Sequence, residues 1–302
     1  MKKVLILAGG FSSEREVSLM SAKNIEQALK KKGYGVVFHD LTDVFVFLDV
    51  LKKERPDIVF NALHGNFGED GEVQGFLDML QIPYTHSNLK ASVLGMNKDL
   101  TKEIASKLGI TVAKGVVMRF KDFQTHGAKL DFPFVVKPAS DGSSVGVFVV
   151  QTEDDLKKVH YDDCQELLIV EKYIKGRELT VSVFEDHALA VTELVPQTAF
   201  YDYQAKYTKG VTTHILPADL PQEIYQKALD TALKMHKALG CNMLSRSDFR
   251  YNADDGLVFL EINTNPGMTT LSLVPEQAKY AGISYEDLCA KLVENAKCRP
   301  VK

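Results

Sequence analysis

The sequence predicts a mixed fold that is α/β in its first ninety residues and α+β, rich in strands, beyond Asn97. Short apolar runs alternate with amphipathic helical segments in the first part, and this alternation indicates a parallel sheet with crossover helices. In the second part, apolar runs of strand length predominate. The length of 302 residues suggests about two domains at roughly 150 residues each. We place the main boundary at residues 88–97 and a weaker division at 180–190.

The N-terminal elements follow one another in a regular order. An apolar strand at 4–7 leads to Gly9-Gly10, and a capping box beginning at Ser13 predicts the next helix, which ends at Gly33. Strands are then predicted at 36–39 and 57–62, with helices at 44–53 and 72–80. Gly9-Gly10 before a helix suits an anion or a carboxylate, although tight strand-to-helix turns also use glycine without binding anything.

The elements beyond residue 97 form a longer and more varied series. A helix at 98–108 precedes strands at 115–118, 134–137, 145–150, 167–173, 180–184 and 188–194. A polar, aromatic stretch at 196–213 lacks periodicity, and we expect either a lid over a ligand or a packed surface excursion. The last predicted elements are a helix at 222–239, strands at 244–251 and 257–263, and a helix at 284–295.

Composition and charge exclude several classes of protein. The net charge is −4 without a long run of like charge, which argues against a protein that binds nucleic acid or a membrane surface. No apolar stretch reaches the roughly 18 residues that a membrane helix needs. The four cysteines lack the spacing of a metal site and are predicted to be reduced thiols. We therefore expect a cytoplasmic protein.

The segment from Lys137 to Gly146 has the composition of a phosphate-binding loop. A lysine ends one strand, and glycine and serine residues precede the next. Backbone N–H groups and hydroxyls in such a loop wrap phosphates, and the lysine adds a positive charge. A hairpin tip with a solvated lysine is the alternative, since glycine and serine are common in turns. No segment fits GxxxxGK[ST], so a nucleotide would not be held by a P-loop.

Two neighbouring strands carry polar side chains that suit a metal ion. Arg246-Ser-Asp248 and Glu261-Ile-Asn263 each place two polar groups on one strand face. If the intervening turn is centred between residues 254 and 255, Arg246 pairs with Asn263 and Asp248 with Glu261. Carboxylates this close need a cation, which favours Mg²⁺ and its oxygen ligands. A surface ladder of ion pairs is the alternative.

Two further features point to the same cleft. Pro266-Gly267 follows the second of these strands. A turn at this place would point backbone N–H groups into the cleft, where they stabilise developing negative charge. An ordinary turn that ends the strand is the alternative. His64 follows a parallel strand at the end where such sheets bind ligands, although a lone histidine is otherwise more often structural.

Together, these segments resemble the D-alanine–D-alanine ligases, which are ATP-grasp enzymes. The resemblance spans nearly the whole chain in order and rests on a series of ordered motifs. They are residues 9–18 (GGFSSEREVS), 63–65 (LHG), 68–71 (GEDG), 96–98 (MNK), 137–146, 171–173 (EKY), 201–207 (YDYQAKY), 246–249 (RSDF), 261–268 (EINTNPGM) and 272–275 (SLVP).

The resemblance implies a Rossmann-like N-terminal domain at 1–95, a central ATP-grasp lobe at 96–185 and a C-terminal ATP-grasp lobe at 186–302. It implies that ATP phosphorylates the carboxylate of one D-alanine and that the amine of a second attacks the acyl phosphate. The products would be D-alanyl-D-alanine, ADP and phosphate, for peptidoglycan precursor synthesis. A homodimer is also implied.

The resemblance further implies roles for individual residues. The first D-alanine would contact Glu14, Val17, His64, Ser143 and Tyr207. Arg246 and the Gly267 N–H would polarise the acyl oxygen, while Ser272 and Leu273 would hold the second substrate. The nucleotide would meet Lys98, Lys137, Ser143, Ser144, Glu171, Lys172, Tyr173, Ile174, Glu178, Lys206, Phe259 and Glu261. Two Mg²⁺ ions, with Mn²⁺ as a substitute, would bind Asp248, Glu261 and Asn263.

Other functions remain open at this stage. A related ATP-grasp ligase could use D-serine or D-lactate as its second substrate. The presence of Tyr207 in the predicted lid favours D-alanyl-D-alanine as the product instead. A non-catalytic nucleotide-binding regulator is a third hypothesis. The sequence has a complete set of the residues that argue against it: Lys137, Arg246, Asp248, Glu261 and Asn263.

Overall fold

The computed structural model describes residues 2–140, 146–196 and 212–300. Its N-terminal part is a parallel sheet in which β1 (Lys3–Gly9) lies between β2 (Gly35–Leu41) and β3 (Ile58–Asn61). The connecting helices are α1 (Arg15–Lys31) and α2 (Val44–Glu54), and α3 (Glu72–Leu80) follows β3. Alternate residues of β1 pack into two separate apolar clusters, because helices cover both faces of the sheet. The predicted parallel sheet is confirmed.

The start of α1 differs from the prediction. Its N-cap residue is Glu14, so the capping box proposed at Ser13 is wrong. The preceding loop is held by Ser12 instead, whose Oγ donates to the His64 carbonyl at 2.6 Å and accepts the Glu14 N–H at 3.2 Å. The loop is therefore tied to the end of β3, and the helix begins beside His64.

A second sheet, antiparallel, occupies the middle of the chain. Its strand order is β4-β7-β5-β6. Two helices, α4 (Leu89–Met96) and α5 (Lys98–Lys107), lead into it from the N-terminal part. Its strands and short helices are β4 (Gly115–Arg119), α6 (Phe120–His126), β5 (Phe134–Pro138), β6 (Phe148–Val150), α7 (Glu153–Leu156) and β7 (Leu167–Lys172).

The third sheet is antiparallel and contains the predicted polar strands. Its order is β10-β9-β8-β11-β12, and α8 (Gln222–Leu239) packs on one face. The strands are β8 (Arg177–Phe184), β9 (His187–Pro196), β10 (Thr212–Ile215), β11 (Leu244–Asn252) and β12 (Gly256–Asn263). β12 lies at the edge, where Val112 forms an isolated bridge to Phe259 and the Phe259 N–H donates to the Thr111 carbonyl.

Two C-terminal helices return to the N-terminal sheet. They are α9 (Leu273–Tyr280) and α10 (Tyr285–Glu294), and Leu288 and Leu292 pack in one cluster with Val4 and Ile6. The chain thus closes on its beginning, and the loop between β12 and α9 lies against the end of β3. None of the helices in the described ranges is both long and apolar enough to cross a membrane.

Candidate active site

A cavity of about 460 Å³ opens where the N-terminal sheet, the third sheet and the loop after β12 meet. Its walls come from segments that are far apart in sequence, which is typical of a ligand site between lobes. The polar residues that line it include many of those predicted from sequence: Glu14, His64, Lys98, Arg246, Asp248, Glu261, Asn263, Gly267, Ser272 and Leu273.

One end of the cavity is acidic and contains a buried histidine. His64 Nδ1 lies 3.2 Å from Glu69 Oε1, and its Nε2 lies 3.3 Å from Ser21 Oγ. Burial by itself lowers the pKa of His64, but the carboxylates of Glu69 and Glu14 outweigh it and the pKa is raised. Burial also raises the pKa of Glu69. The carboxyl groups of Glu14 and Glu69 beside the cavity suit the ammonium group of a ligand.

Another part of the cavity wall is formed by the predicted strand pair. Arg246 is paired with Asn263 and Asp248 with Glu261, so the predicted register is confirmed. Arg246 donates two hydrogen bonds to Asp248, from Nε to Oδ1 at 3.0 Å and from Nη2 to Oδ2 at 2.8 Å. The Thr180 hydroxyl donates to the same carboxylate at 2.6 Å. This two-bond contact holds the Arg246 guanidinium at the cavity wall, where it can bind a second anion.

The carboxylates of this end fit a hard cation. Asp248 and Glu261 stand on directly opposed positions, and each already has a positive neighbour: Arg246 for Asp248, and Lys98 for Glu261 at 3.4 Å. Within 2–140, 146–196 and 212–300, no group of three or more His, Cys, Asp and Glu side chains could hold a metal alone. Mg²⁺ is commonly held by one or two carboxylates together with substrate phosphates, and two carboxylates with the Asn263 amide match that donor set.

Lysines form a cluster beside β11 and β12. Lys137 Nζ lies 2.8 Å from Glu171 Oε1, and Lys102 contacts the other oxygen of the same carboxylate. Burial lowers the pKa of Lys137 to about 8, with Lys98 adding to the effect, and burial lowers the pKa of Lys102 well below its ordinary value. Lys98 and Lys137 lie beside the cavity with Glu261 and Glu171 as their partners, and their ammonium groups suit phosphate groups.

The residues predicted near adenine and ribose are placed as follows. Ile174 is buried against Ala113 and Val258. Lys172 is exposed and pairs with Asp255 at 2.7 Å, while the Tyr173 N–H donates to the Pro133 carbonyl. Glu178 lies 2.7 Å from Arg250 on the neighbouring strand. These groups surround the junction between the second and third sheets.

Phe259 packs with the residues of α8. Its side chain is fully buried in the cluster on that face of the third sheet. A bulge between Asp248 and Phe249 pairs Phe249 with Phe259 and leaves Leu260 without a partner in the β11–β12 ladder. The role of Phe259 as a nucleotide contact stays a prediction. Val258 faces the Ile174 side.

The turn after β12 is fixed on several sides. A side chain at Gly267 would approach Ser272 Oγ to 3.1 Å, and that hydroxyl accepts the Thr269 N–H at 2.9 Å. Ser272 is the N-cap residue of α9, and Leu273 is its first helical residue. The predicted substrate groups at 267, 272 and 273 therefore lie in one compact segment at the cavity wall.

Several predictions concern residues that the structure does not describe. Ser143, Ser144, Lys206 and Tyr207 lie outside the described residues, so their roles stay predictions. Val17 is described and is buried on α1, three residues beyond Glu14.

Sequence reasoning missed three groups that hold the site together: Lys102, Glu69 and Thr180. Lys102 stands four residues after Lys98 on α5, and that helical spacing is a signal that could have identified it. Glu69 lies in a recognised motif, but its contact with His64 depends on the loop after β3. Thr180 reaches Asp248 only because β8 pairs with β11.

Comparisons with known proteins match nearly the whole chain. The family model described as D-ala D-ala ligase C-terminus matches residues 104–294, and the model described as D-ala D-ala ligase N-terminus matches residues 46–87. The chain is 48% identical to a D-alanine--D-alanine ligase of Zymomonas mobilis, over 98% of this chain and 94% of the relative. It is also 48% identical to one of Rhizobium meliloti, over 98% of each.

Solved structures show the same likeness. A D-alanine--D-alanine ligase from Bacillus anthracis, complexed with ATP, superposes with a TM-score of 0.81 at 34% identity, covering 97% of this chain and 96% of that one. The D-alanine-D-alanine ligase from Coxiella burnetii gives a TM-score of 0.77 at 28% identity, covering 97% and 93%.

Proposed function

The chain belongs to the D-alanine–D-alanine ligase family, and from this premise we propose that it uses ATP to join two D-alanine molecules into D-alanyl-D-alanine. The observation that carries the proposal is one cavity lined both by Glu14, Glu69 and His64 and by Arg246, Asp248 and Glu261. An amino acid bound in this cavity would have its ammonium near Glu14 and its carboxylate near the phosphate groups. The product serves peptidoglycan precursor synthesis.

The first chemical step is activation of a carboxylate. A carboxylate oxygen of the first D-alanine attacks the γ-phosphorus of ATP, the bond to the β-phosphate oxygen breaks, and ADP leaves. Lys98 and Lys137 neutralise phosphate charge in this step, and both are buried, so water weakens their charge interactions little. Asp248, Glu261 and Asn263 would hold Mg²⁺, which supplies further neutralisation of the phosphates when bound.

The second step forms the peptide bond. The neutral amine of the second D-alanine attacks the acyl carbon, and a negative charge develops on the acyl oxygen. The bond from the acyl carbon to the phosphate oxygen then breaks, and the nitrogen loses one proton, which leaves with the phosphate. Arg246 and the Gly267 N–H stabilise the acyl oxygen, because both are held in place before the reaction begins. Ser272 and the Leu273 backbone bind the carboxylate of the second substrate at the start of α9, where the helix dipole favours an anion.

A single assay tests the function. Phosphate release from ATP should require both D-alanine and Mg²⁺, and the product should have the mass of D-alanyl-D-alanine. L-alanine is the matched control and should support little release. Comparable release with L-alanine, or none with D-alanine, would contradict the proposal.

The same assay separates the related activities. D-serine and D-lactate compete with D-alanine in one reaction, and the product masses identify the preferred nucleophile. We propose D-alanine as the nucleophile, because the predicted lid carries Tyr207 and the sequence also has Glu14 and Ser143. ATP consumption without a ligated product would instead support a regulatory role.

Three further properties complete the proposal. We propose three lobes, and the pairing of β8 with both β9 and β11 favours a second boundary near residues 173–176 rather than at 185. We also propose a homodimer, which light scattering in solution would test. A cytoplasmic location is the third property, and fractionation of the cells that make the protein would test it.

A further inference from the structure

Ser21 lies at the contact between α1 and the turn that follows β12. It is on the inward side of α1 and is fully buried. Its Oγ lies 3.3 Å from His64 Nε2 and accepts the backbone N–H of Met268 at 3.3 Å. One hydroxyl therefore touches the histidine at the acidic end of the cavity and the residue next to Gly267.

The turn that carries Gly267 is held by several contacts. The Met268 carbonyl accepts a hydrogen bond of 2.7 Å from the Tyr285 hydroxyl, while the Met268 N–H donates to Ser21. The Asn265 side-chain amide donates to the Leu63 carbonyl at 2.8 Å. The segment is thus tied to α10 by Tyr285, to the end of β3 by Asn265 and to α1 by Ser21.

The contacts of His64 determine what the hydroxyl does. Glu69 occupies the Nδ1 side of the ring, and the Asn265 backbone is a further hydrogen-bond partner of His64. When both ring nitrogens carry protons, Nε2 donates towards Ser21 and Asn265, and Ser21 remains an acceptor for Met268. The hydroxyl can act in this way in either protonation state of the ring because it can rotate.

We propose that Ser21 is a positioning residue whose hydroxyl couples the His64 ring to the Met268 amide and so fixes the Gly267 N–H relative to the first substrate. This inference rests on the proposed function, since it assigns His64 to the substrate and Gly267 to the acyl oxygen. Without the hydroxyl, the Met268 N–H loses a buried partner and the turn shifts. Small shifts of a group that stabilises a transition state reduce turnover.

The test compares Ser21→Ala with Ser18→Ala. Ser18 lies one turn earlier on the same helix, is equally buried, and also bridges two chain segments by accepting the Gly9 N–H and donating to the Ala62 carbonyl. Both variants lose a buried hydroxyl with two partners. They differ in that Ser18 does not contact His64 or Met268 through the hydrogen bonds of its hydroxyl.

We expect Ser21→Ala to lower kcat about tenfold with little change in KM for ATP, and Ser18→Ala to keep kcat within about twofold. In Ser21→Ala, exchange of the Met268 amide proton, measured by NMR, should accelerate about tenfold, and the His64 ring nitrogen signal should move. In a His64→Gln background, the Ser21→Ala effect on kcat should shrink, because one partner of the hydroxyl is already gone.

Equal kcat values for the two serine variants would overturn the inference. A fall in kcat without faster Met268 exchange would also overturn it, as would faster exchange without a fall in kcat. Failure of the proposed function has a different signature, because the wild-type protein would then show no D-alanine-dependent phosphate release. The Met268 and His64 signals do not require turnover, so they report on the coupling separately.

Discussion

Replacing Arg246 by lysine tests the proposed stabilisation of the acyl oxygen most directly. The substitution keeps the positive charge and removes the planar fork that meets Asp248 through contacts of 3.0 and 2.8 Å. One of the two contacts can be kept by an ammonium group. Since these side chains are largely but not wholly buried, we expect the free energy of unfolding to fall by about 1–2 kcal/mol.

The expected kinetic effect is larger than the effect on stability. Loss of one preorganised donor to an oxyanion lowers kcat by roughly 100- to 1000-fold in other enzymes. Because the Gly267 N–H remains and lysine keeps its charge, we expect the lower end, about 100-fold, which corresponds to about 2.7 kcal/mol. KM for ATP should change little. Phosphate release with D-alanine, together with urea denaturation, measures both quantities.

Arg250→Lys is the matched control. Arg250 lies four residues later on the same strand, pairs with Glu178 at 2.7 Å, and both side chains are 15% exposed, close to the 17% and 16% of Arg246 and Asp248. We expect a similar loss of stability, a kcat within threefold of wild type and a higher KM for ATP through Glu178. A kcat above one third of wild type for Arg246→Lys, or an equal fall in both variants, would refute the reasoning.

Three further predictions concern the nucleotide end of the cavity. Glu261→Gln should raise the Mg²⁺ concentration needed for half-maximal rate and cut kcat strongly without unfolding the protein; near-normal turnover at limiting Mg²⁺ would contradict this. Since the pKa of Lys137 is about 8 rather than 10.5, its positive charge is lost as pH rises through 8. KM for ATP should therefore increase up to about tenfold from pH 7 to pH 9, and Lys137→Arg should remove this dependence. Lys102→Met should leave Lys137 as the only lysine in contact with Glu171 among the described residues, and KM for ATP should rise about tenfold. Lys107→Met is the control, because Lys107 is exposed on the same helix, and it should leave KM unchanged.

The pairing of β11 with β12 was predictable from sequence, but part of the reasoning behind it was not correct. Near the turn, the pairs run from Asn252–Gly256 to Phe249–Phe259, one step away from the assumed centre of the hairpin. The bulge at Leu260 then restores the predicted pairing at Asp248 and Arg246. Alternation of polar residues identified the functional end of the ladder, whereas a bulge has no clear signal in a single sequence.

Helices that are short or lack strong periodicity also escaped prediction. α4 has eight residues and begins at Leu89. Its N-cap residue is Asn88, whose side chain accepts the Ala91 N–H, so the cap was the available signal. α9 begins beside the predicted substrate-binding pair Ser272 and Leu273, which sequence reasoning treated only as a motif. Contacts such as Lys102 with Glu171 depend on how α5 packs against the second sheet, and local patterns do not encode that packing.

The edge position of β12 has a consequence for association between molecules. An unpaired edge strand is a template on which another chain can add a strand. Here the Phe259 N–H is already bound to the Thr111 carbonyl, and Val112 bridges to the same residue. The segment between α5 and β4 therefore shields the middle of the edge from strand addition, while Glu261 and Asn263, further along β12, line the cavity. The site can thus lie at the margin of a sheet without leaving that margin open to aggregation.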